Sequence, residues 1–413
     1  MKQISAIILL VLMTSLYATP PSVRLEPEPE ISVRSERIKL IPGKITPLAG
    51  GIQPAGLRMT DALGTPRSAP GALKPGSLRL RYGDQELQKG KDYVIDECFG
   101  RVGLGLKPSF PLEAELEMDY VYRRRRIDSL IRTVSGTEKL LKGIPHINIP
   151  QPPPLPSGAI RIANYFLDYD TSAEAPLEFR VGNAPAVTAS TRGRIPRTLS
   201  KLKAGEAVKI VCWGDSVTAG NDATPGNSYA KLFERMLKER FPKAKITVQV
   251  VAVGGSNSRS WQQPVENPRP GANLCDWNQV VAEKPDLVTM EFVNDASFSG
   301  ELFEKIYQEN LRRIREIGAE WIVALPHFTY PGWMRINDLQ DTVDRRPYIH
   351  ELKAFAEKYN LGIADVSGRW AHLAAEGIPY VTLLANSLNH PIDAGHRIYA
   401  EELLKNFEDV PKQ

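Results

Sequence analysis

Cysteine is scarce in this chain: Cys98, Cys212 and Cys275 are the only three in 413 residues. Three thiols cannot make a disulfide framework, and none stands at a spacing with histidine that would build a zinc site. Cys212 falls inside an apolar run and reads as a small buried hydrophobe. A bridge between Cys98 and Cys275 would have to cross two domains. Charge of one sign is scarce as well. Against 52 Lys and Arg stand 48 Asp and Glu, and the resulting +4 over this length gives no case for nucleic acid. The basic run Arg123 to Arg126 follows an alternating pattern and reads as a solvated strand end. Long hydrophobic runs are missing too. The longest, Ile4 to Leu16, is too short to cross a bilayer comfortably. With Lys2 before it and Ala18 after it, the run has the layout of a signal peptide over residues 1–18. That layout predicts a secreted or periplasmic protein without stable membrane insertion. No cofactor and no metal site are read from the sequence.

At this length two or three domains are expected. From Ser77 the pattern is that of strands. It is clearest between Leu112 and Tyr122, where Ala114, Leu116, Met118, Tyr120 and Tyr122 alternate with Glu113, Glu115, Glu117 and Asp119. A period of two marks a strand with one dry and one wet face. Short strands separated by turn residues predict a β-rich, sandwich-like accessory domain over residues 28–150. Residues 151–204 read as a proline-rich linker and connecting segment with one strand candidate, Ile160 to Leu167. After residue 205 the rhythm changes. Strand candidates at 208–213, 246–253, 286–293, 320–326 and 362–366 alternate with helical patterns. These include 300–317, 345–359 and a last helix for which Asp393 is the natural cap. Strict alternation predicts an α/β domain over residues 205–410, a parallel sheet between two helical layers.

Four short stretches fall at predicted strand ends or before the last helix. They are Gly214-Asp215-Ser216, Gly254-Gly255-Ser256-Asn257, Val293-Asn294-Asp295 and Asn389-His390-Pro391. A serine where a parallel strand gives way to a helix lies at the carboxyl edge of the sheet, where α/β proteins keep their sites. Paired glycines there let backbone N–H groups approach a ligand. In this order the four stretches resemble the blocks of the SGNH (GDSL-like) hydrolases, over about half of the chain. The resemblance implies a flavodoxin-like three-layer α/β/α fold. It also implies a serine esterase in which Ser216 is the nucleophile and His390 the general base. The oxyanion hole would comprise the N–H groups of Ser216 and Gly255 and the side-chain amide of Asn294. Gly254 is the second candidate for the glycine donor.

Two positions depart from the family pattern. Phe292 stands where a small residue is common, and would narrow or reshape the site. Ser387 stands where an aspartate three residues before the histidine is expected. Ser387 and Asn386 are therefore the candidates for orienting His390, with Asp393 and Asp365 as more distant ones. His327 is a candidate for the mouth of the site, though a hydrogen-bonded loop histidine is the plainer reading. His396 reads as a structural contact, while Trp261 and Trp333 sit in loops where either could stack on a sugar. The expected activity is hydrolysis of a small acyl ester, with an acetylated polysaccharide as the preferred substrate. The alternatives are an inactive carbohydrate-binding domain of the same fold, and a lipase or acylhydrolase of the same family.

Overall fold

The computed structural model describes residues 23–43, 51–60, 66–67, 69–182, 194–263, 274–341 and 343–408. Residues 1–18, read as a signal peptide, lie outside the described residues. The N-terminal part contains two four-stranded antiparallel sheets. In the first, Leu116–Tyr122 lies between Ile31–Ile38 and Arg79–Tyr82. The alternation in this strand is obeyed: Leu116, Met118 and Tyr120 are buried, while Glu117 faces outward to pair with Arg81 at 3.0 Å. In the second sheet, Arg126–Arg132 pairs with Glu138–Leu141 on one side and with Ile160–Leu167 on the other. Leu177–Arg180 completes that sheet. The strand expected at 160–167 thus forms, and its pairing carries the β-rich part past residue 150 into the segment read as a connector.

The basic run at 123–126 is a correction to the sequence reading. It is an ion-pair cluster in which Arg125 and Arg126 are buried, not a solvated strand end. Arg126 is fully buried between Asp128 and Glu28, each at 2.8 Å, and Arg125 meets Asp168 at 2.7 Å. Guanidinium groups survive burial here because each fork is matched by carboxylates.

The C-terminal part is the three-layer α/β domain. Its strands are β1 (Ala207–Gly214), β2 (Lys245–Ala252), β3 (Leu287–Glu291), β4 (Glu320–Ala324) and β5 (Gly362–Ala364). They are parallel and ordered β2-β1-β3-β4-β5. Successive residues of β1 point to opposite faces. Val208, Ile210 and Cys212 join one core, while Val211 and Trp213 join the other. Helices cover both faces, which is why the strands read as continuous apolar runs. On one side α1 (Tyr229–Arg240) buries Tyr229, Leu232, Phe233 and Leu237. On the other, α2 (Gly300–Glu316) buries Phe303, Ile306, Tyr307, Leu311 and Ile314, the spacing of one helical stripe. Helices α3 (Pro331–Met334), α4 (Pro347–Lys358) and α5 (Asp393–Lys405) follow. In this strand order the chain reverses direction between β1 and β3, which opens a crevice at their carboxyl ends.

The two parts share a core. Ile127, Phe166 and Phe179 of the second β-sheet pack in the same cluster as Leu373, Tyr380 and Val381. Hydrogen bonds cross the boundary from Gly182 N–H to Ala375 O (2.9 Å), from Asn164 Nδ2 to Gly377 O (2.6 Å) and from Asn148 Nδ2 to Ala385 O. All three cysteines are free, so the Cys98–Cys275 bridge is not formed.

Candidate active site

The site begins where β1 stops. A Cβ at Gly214 would lie 2.2 Å from Glu291 O and 2.0 Å from Thr218 Oγ1, so only glycine lets the ends of β1 and β3 approach this closely. Asp215 follows, and its Oδ1 accepts the N–H of Val217 at 3.0 Å. That cap starts a single helical turn, Ser216–Ala219, whose first residue is Ser216. Gly220 ends the turn in the left-handed conformation. Asp222 also adopts positive φ, 66°, a conformation that aspartate tolerates better than most side chains.

This short excursion brings Asp222 under His390. Asp222 Oδ2 lies 2.5 Å from His390 Nδ1, and His390 Nε2 lies 2.8 Å from Ser216 Oγ. All three residues are buried, at 7% exposure or less. The residues expected to orient the histidine do something else. Asn386 Oδ1 accepts the backbone N–H groups of Leu388, Asn389 and His390 at 2.9 to 3.0 Å, which shapes the loop. Ser387 sits at positive φ, and among the described residues its buried hydroxyl has no partner. Neither residue bonds the imidazole, so Asp222 corrects that expectation. Asp393 is the first residue of α5, not its cap. Its carboxylate instead accepts Thr224 N–H (2.8 Å) and Asn227 Nδ2 (2.7 Å), tying down the loop beyond Asp222. Asp365 caps the helix Val366–Ala371 through Gly368 N–H.

After β2 the chain passes close to the serine. A Cβ at Gly254 would come 3.7 Å from Ser216 Cβ, whereas one at Gly255 would meet nothing within 4 Å. Gly254 is therefore the nearer of the two to Ser216, while Gly255 holds the left-handed turn at φ 76°. Asn294, after β3, is bound by Asp215. Its backbone N–H and its Nδ2 reach Asp215 Oδ2 at 3.2 and 3.0 Å, and Nδ2 also reaches Ser256 O at 3.0 Å. Asp295 Oδ1 accepts Ser258 N–H and its Oδ2 accepts the Tyr307 hydroxyl, both at 2.8 Å. The loops after β1, β2 and β3 are thus locked together by two buried carboxyl groups.

Burial dominates the electrostatics of these groups. It pushes Asp215 up to about 7 and Asp295 up to about 6, against the N–H and hydroxyl donors that favour their charged forms. Glu291 ends β3, and its Oε2 accepts the Thr218 hydroxyl at 3.0 Å. Burial, and then the charge of Asp215, raise Glu291 well above the ordinary carboxylate range. Close buried carboxyls raise one another because the charged forms are neither solvated nor neutralised.

Other expectations resolve as follows. Phe292 is fully buried, edge-on to Trp213 with ring centres 5.0 Å apart, so it fills the core and does not narrow the site. His327 is also fully buried, with Nδ1 2.8 Å from the Tyr399 hydroxyl, and burial holds it well below the usual histidine value. It does not line the mouth. Burial likewise pushes His396 down to about 4, and the Tyr229 N–H donates to its Nδ1. Trp261 is buried, edge-on to Trp213, and offers no face to a sugar. Trp333 is 47% exposed and borders a cavity of about 800 Å³ that also touches Asn294 and Asn389. Among the described residues no group of three His, Cys, Asp or Glu could hold a metal ion.

Residues 212–398 match the model of the GDSL-like lipase/acylhydrolase family. No curated protein matches the chain. Similar solved structures include a two-domain esterase (CEX) active on acetylated mannans, co-crystallized with mannopentaose. It is 24% identical, with a TM-score of 0.40, over 55% of this chain and 58% of that one. This chain therefore spans less than two thirds of the length of that esterase. An acetyl xylan esterase from Geobacillus stearothermophilus is 20% identical, with a TM-score of 0.37, over 50% of this chain and 97% of that one. The acetyl xylan esterase AlAXEase is 16% identical, with a TM-score of 0.35, over 48% and 98% of the two chains.

Proposed function

From the premise that residues 212–398 are a GDSL-like lipase/acylhydrolase domain, we propose that the protein hydrolyses small acyl esters, acetyl groups on carbohydrate in particular, with Ser216 as nucleophile. The observation that carries this reading is the chain of contacts from Ser216 Oγ to His390 Nε2 and from His390 Nδ1 to Asp222 Oδ2. His390 takes the hydroxyl proton as Ser216 Oγ attacks the acyl carbon. It returns that proton to the alcohol oxygen as the ester bond breaks, leaving acyl-Ser216. Water then enters by the same route in reverse and releases the acid. Asp222 fixes the ring so that the unprotonated nitrogen faces Ser216, and it stabilises the imidazolium that forms.

The negative oxygen of each intermediate needs donors. The N–H of Ser216 stands at the start of its helical turn, where backbone N–H groups are free of helical partners. Gly255 N–H, with Gly254 beside it, and Asn294 Nδ2 complete the proposed hole. In the resting state Asn294 Nδ2 donates to Asp215 and to Ser256 O. Its part in catalysis is to transfer one N–H from the Ser256 carbonyl to the oxyanion, the stronger acceptor.

Carbohydrate as the alcohol side is supported by the exposed Trp333 on a cavity far larger than an acetyl group. Arginines on the same cavity disfavour the long apolar acyl chain of a lipase. The binding-only alternative rested on the missing carboxylate before His390, and Asp222 supplies one from another direction. Export, read from residues 1–18, belongs to the same proposal. The test is hydrolysis of an activated acetyl ester by the purified protein and by Ser216→Ala. The wild type turns over, and the variant, with an unchanged melting profile, does not. A folded wild type without turnover, or an active Ser216→Ala, overturns the reading.

A further inference from the structure

The cavity that Asn294 and Asn389 border has a composition that acetyl transfer does not require. Its wall includes Arg335, Arg345 and Arg346, and among the described residues it contains no Asp or Glu. The three cations are not equivalent. Arg346 is buried and forked onto Asp344 at 2.6 Å, so its charge is answered within the fold. Arg345 pairs with Asp341, and both groups are partly open to water. Arg335 is exposed and, among the described residues, its guanidinium makes no hydrogen bond or ion pair. Arg335 is held in place even so: it closes α3 at φ 55°, its backbone N–H donating to Pro331 O. Two residues earlier, on that helix, stands Trp333, 47% exposed. Trp333 packs edge-on to Tyr330 with ring centres 6.2 Å apart, and Tyr330 N–H donates to Leu388 O at 2.6 Å, in the loop that carries His390. The aromatic face and the unpaired guanidinium are therefore tied to the catalytic loop.

We infer that this cavity is a subsite for a sugar ring bearing a carboxylate, so that the natural substrate is an acylated anionic polysaccharide. The inference rests on the esterase reading of Ser216 and names the alcohol side of the substrate. An indole face stacks on the C–H face of a pyranose, and a guanidinium donates two parallel N–H groups to a carboxylate. Arg345 adds positive potential and the amides of Asn294 and Asn389 add neutral polar contacts along the same wall. A cavity of about 800 Å³ lies in the range that takes in a ligand of several hundred daltons, which is ample for more than one ring.

The test uses full-length Ser216→Ala, which retains ligands without turnover, titrated calorimetrically with unesterified tri-galacturonate and with neutral xylotriose. The anionic sugar binds at least about tenfold tighter, the scale of one charge-assisted contact, and adding Arg335→Gln removes that margin. The preference also weakens with salt, as expected for an exposed charge. Trp333→Ala weakens both sugars. Equal binding of the two sugars, or a preference indifferent to Arg335 and to salt, overturns the inference. Binding with that preference in a protein that hydrolyses no ester leaves the subsite standing and removes the esterase reading instead.

Discussion

At the scale of the residue, the acid of the site is the part that differs most from what the sequence suggested. Ser216, Asn294 and His390 were legible because each sits in a short stretch at a strand end, and their chain order gives the pattern. Asp222 was not legible, because no local signal ties an aspartate in the turn after Ser216 to a histidine 168 residues away. Its left-handed φ was the only peculiarity, and φ is not written in sequence for a residue other than glycine. The carboxylate that the resemblance leads one to expect at position 387 thus reaches His390 through space, from Asp222. Asp222→Asn should lower kcat on an activated acetyl ester by up to about 10⁴, because the amide favours the wrong imidazole tautomer. Ser387→Ala should stay within a few-fold of wild type. Steady-state kinetics on both variants decide between the two residues, and an Asp222→Asn enzyme at wild-type rate would reinstate Ser387 as the candidate.

At the scale of the element, the α/β alternation was readable throughout residues 205–410, since buried parallel strands are apolar on both faces and their helices carry one apolar stripe. The strand ends were less legible. The apolar run around β3 continues to Val293, but the strand stops at Glu291 because residues 293–297 turn to place Asn294 and Asp295. Glu291 at this end is a buried acid with a raised proton affinity, and that has a measurable consequence. Above its ordinary value of 4.5 the unfolded chain releases a proton that the folded chain keeps. The unfolded state then binds fewer protons, so this group's contribution to stability is present below 4.5 and is lost as pH rises beyond it. Glu291→Gln keeps the acceptor for Thr218 and removes the titration. In urea unfolding between pH 5 and pH 8, the stability of the variant relative to wild type should grow with pH, by at most about 1.4 kcal/mol per pH unit. A constant difference across that range would show that Glu291 ionises normally in the fold.

At the scale of the whole molecule, the change of rhythm near residue 205 marked the start of the α/β domain, but its dependence on the β-rich part was hidden. The donors that brace the chain before His390 come from Asn148, Asn164 and Gly182, and the pair Asn148–Ala385 spans 237 residues. Ile127, Phe166 and Phe179 fill the same core as the helices beneath that loop. Sequence periodicity tells which face of a strand is dry, not which domain dries it. The β-rich part is therefore a structural wall of the α/β domain: it supports the loop before His390, and Cys98 and Phe99 support Tyr330 at the start of the helix that carries Trp333. The proposed function makes Ser216 Oγ the one reactive oxygen. The most direct measurement is peptide mass mapping after exposure of the intact protein to an activated phosphonate ester. A single adduct on Ser216 is expected, formed far more slowly in His390→Ala. An unlabelled protein that is shown to be folded, or an adduct on another residue, would contradict it.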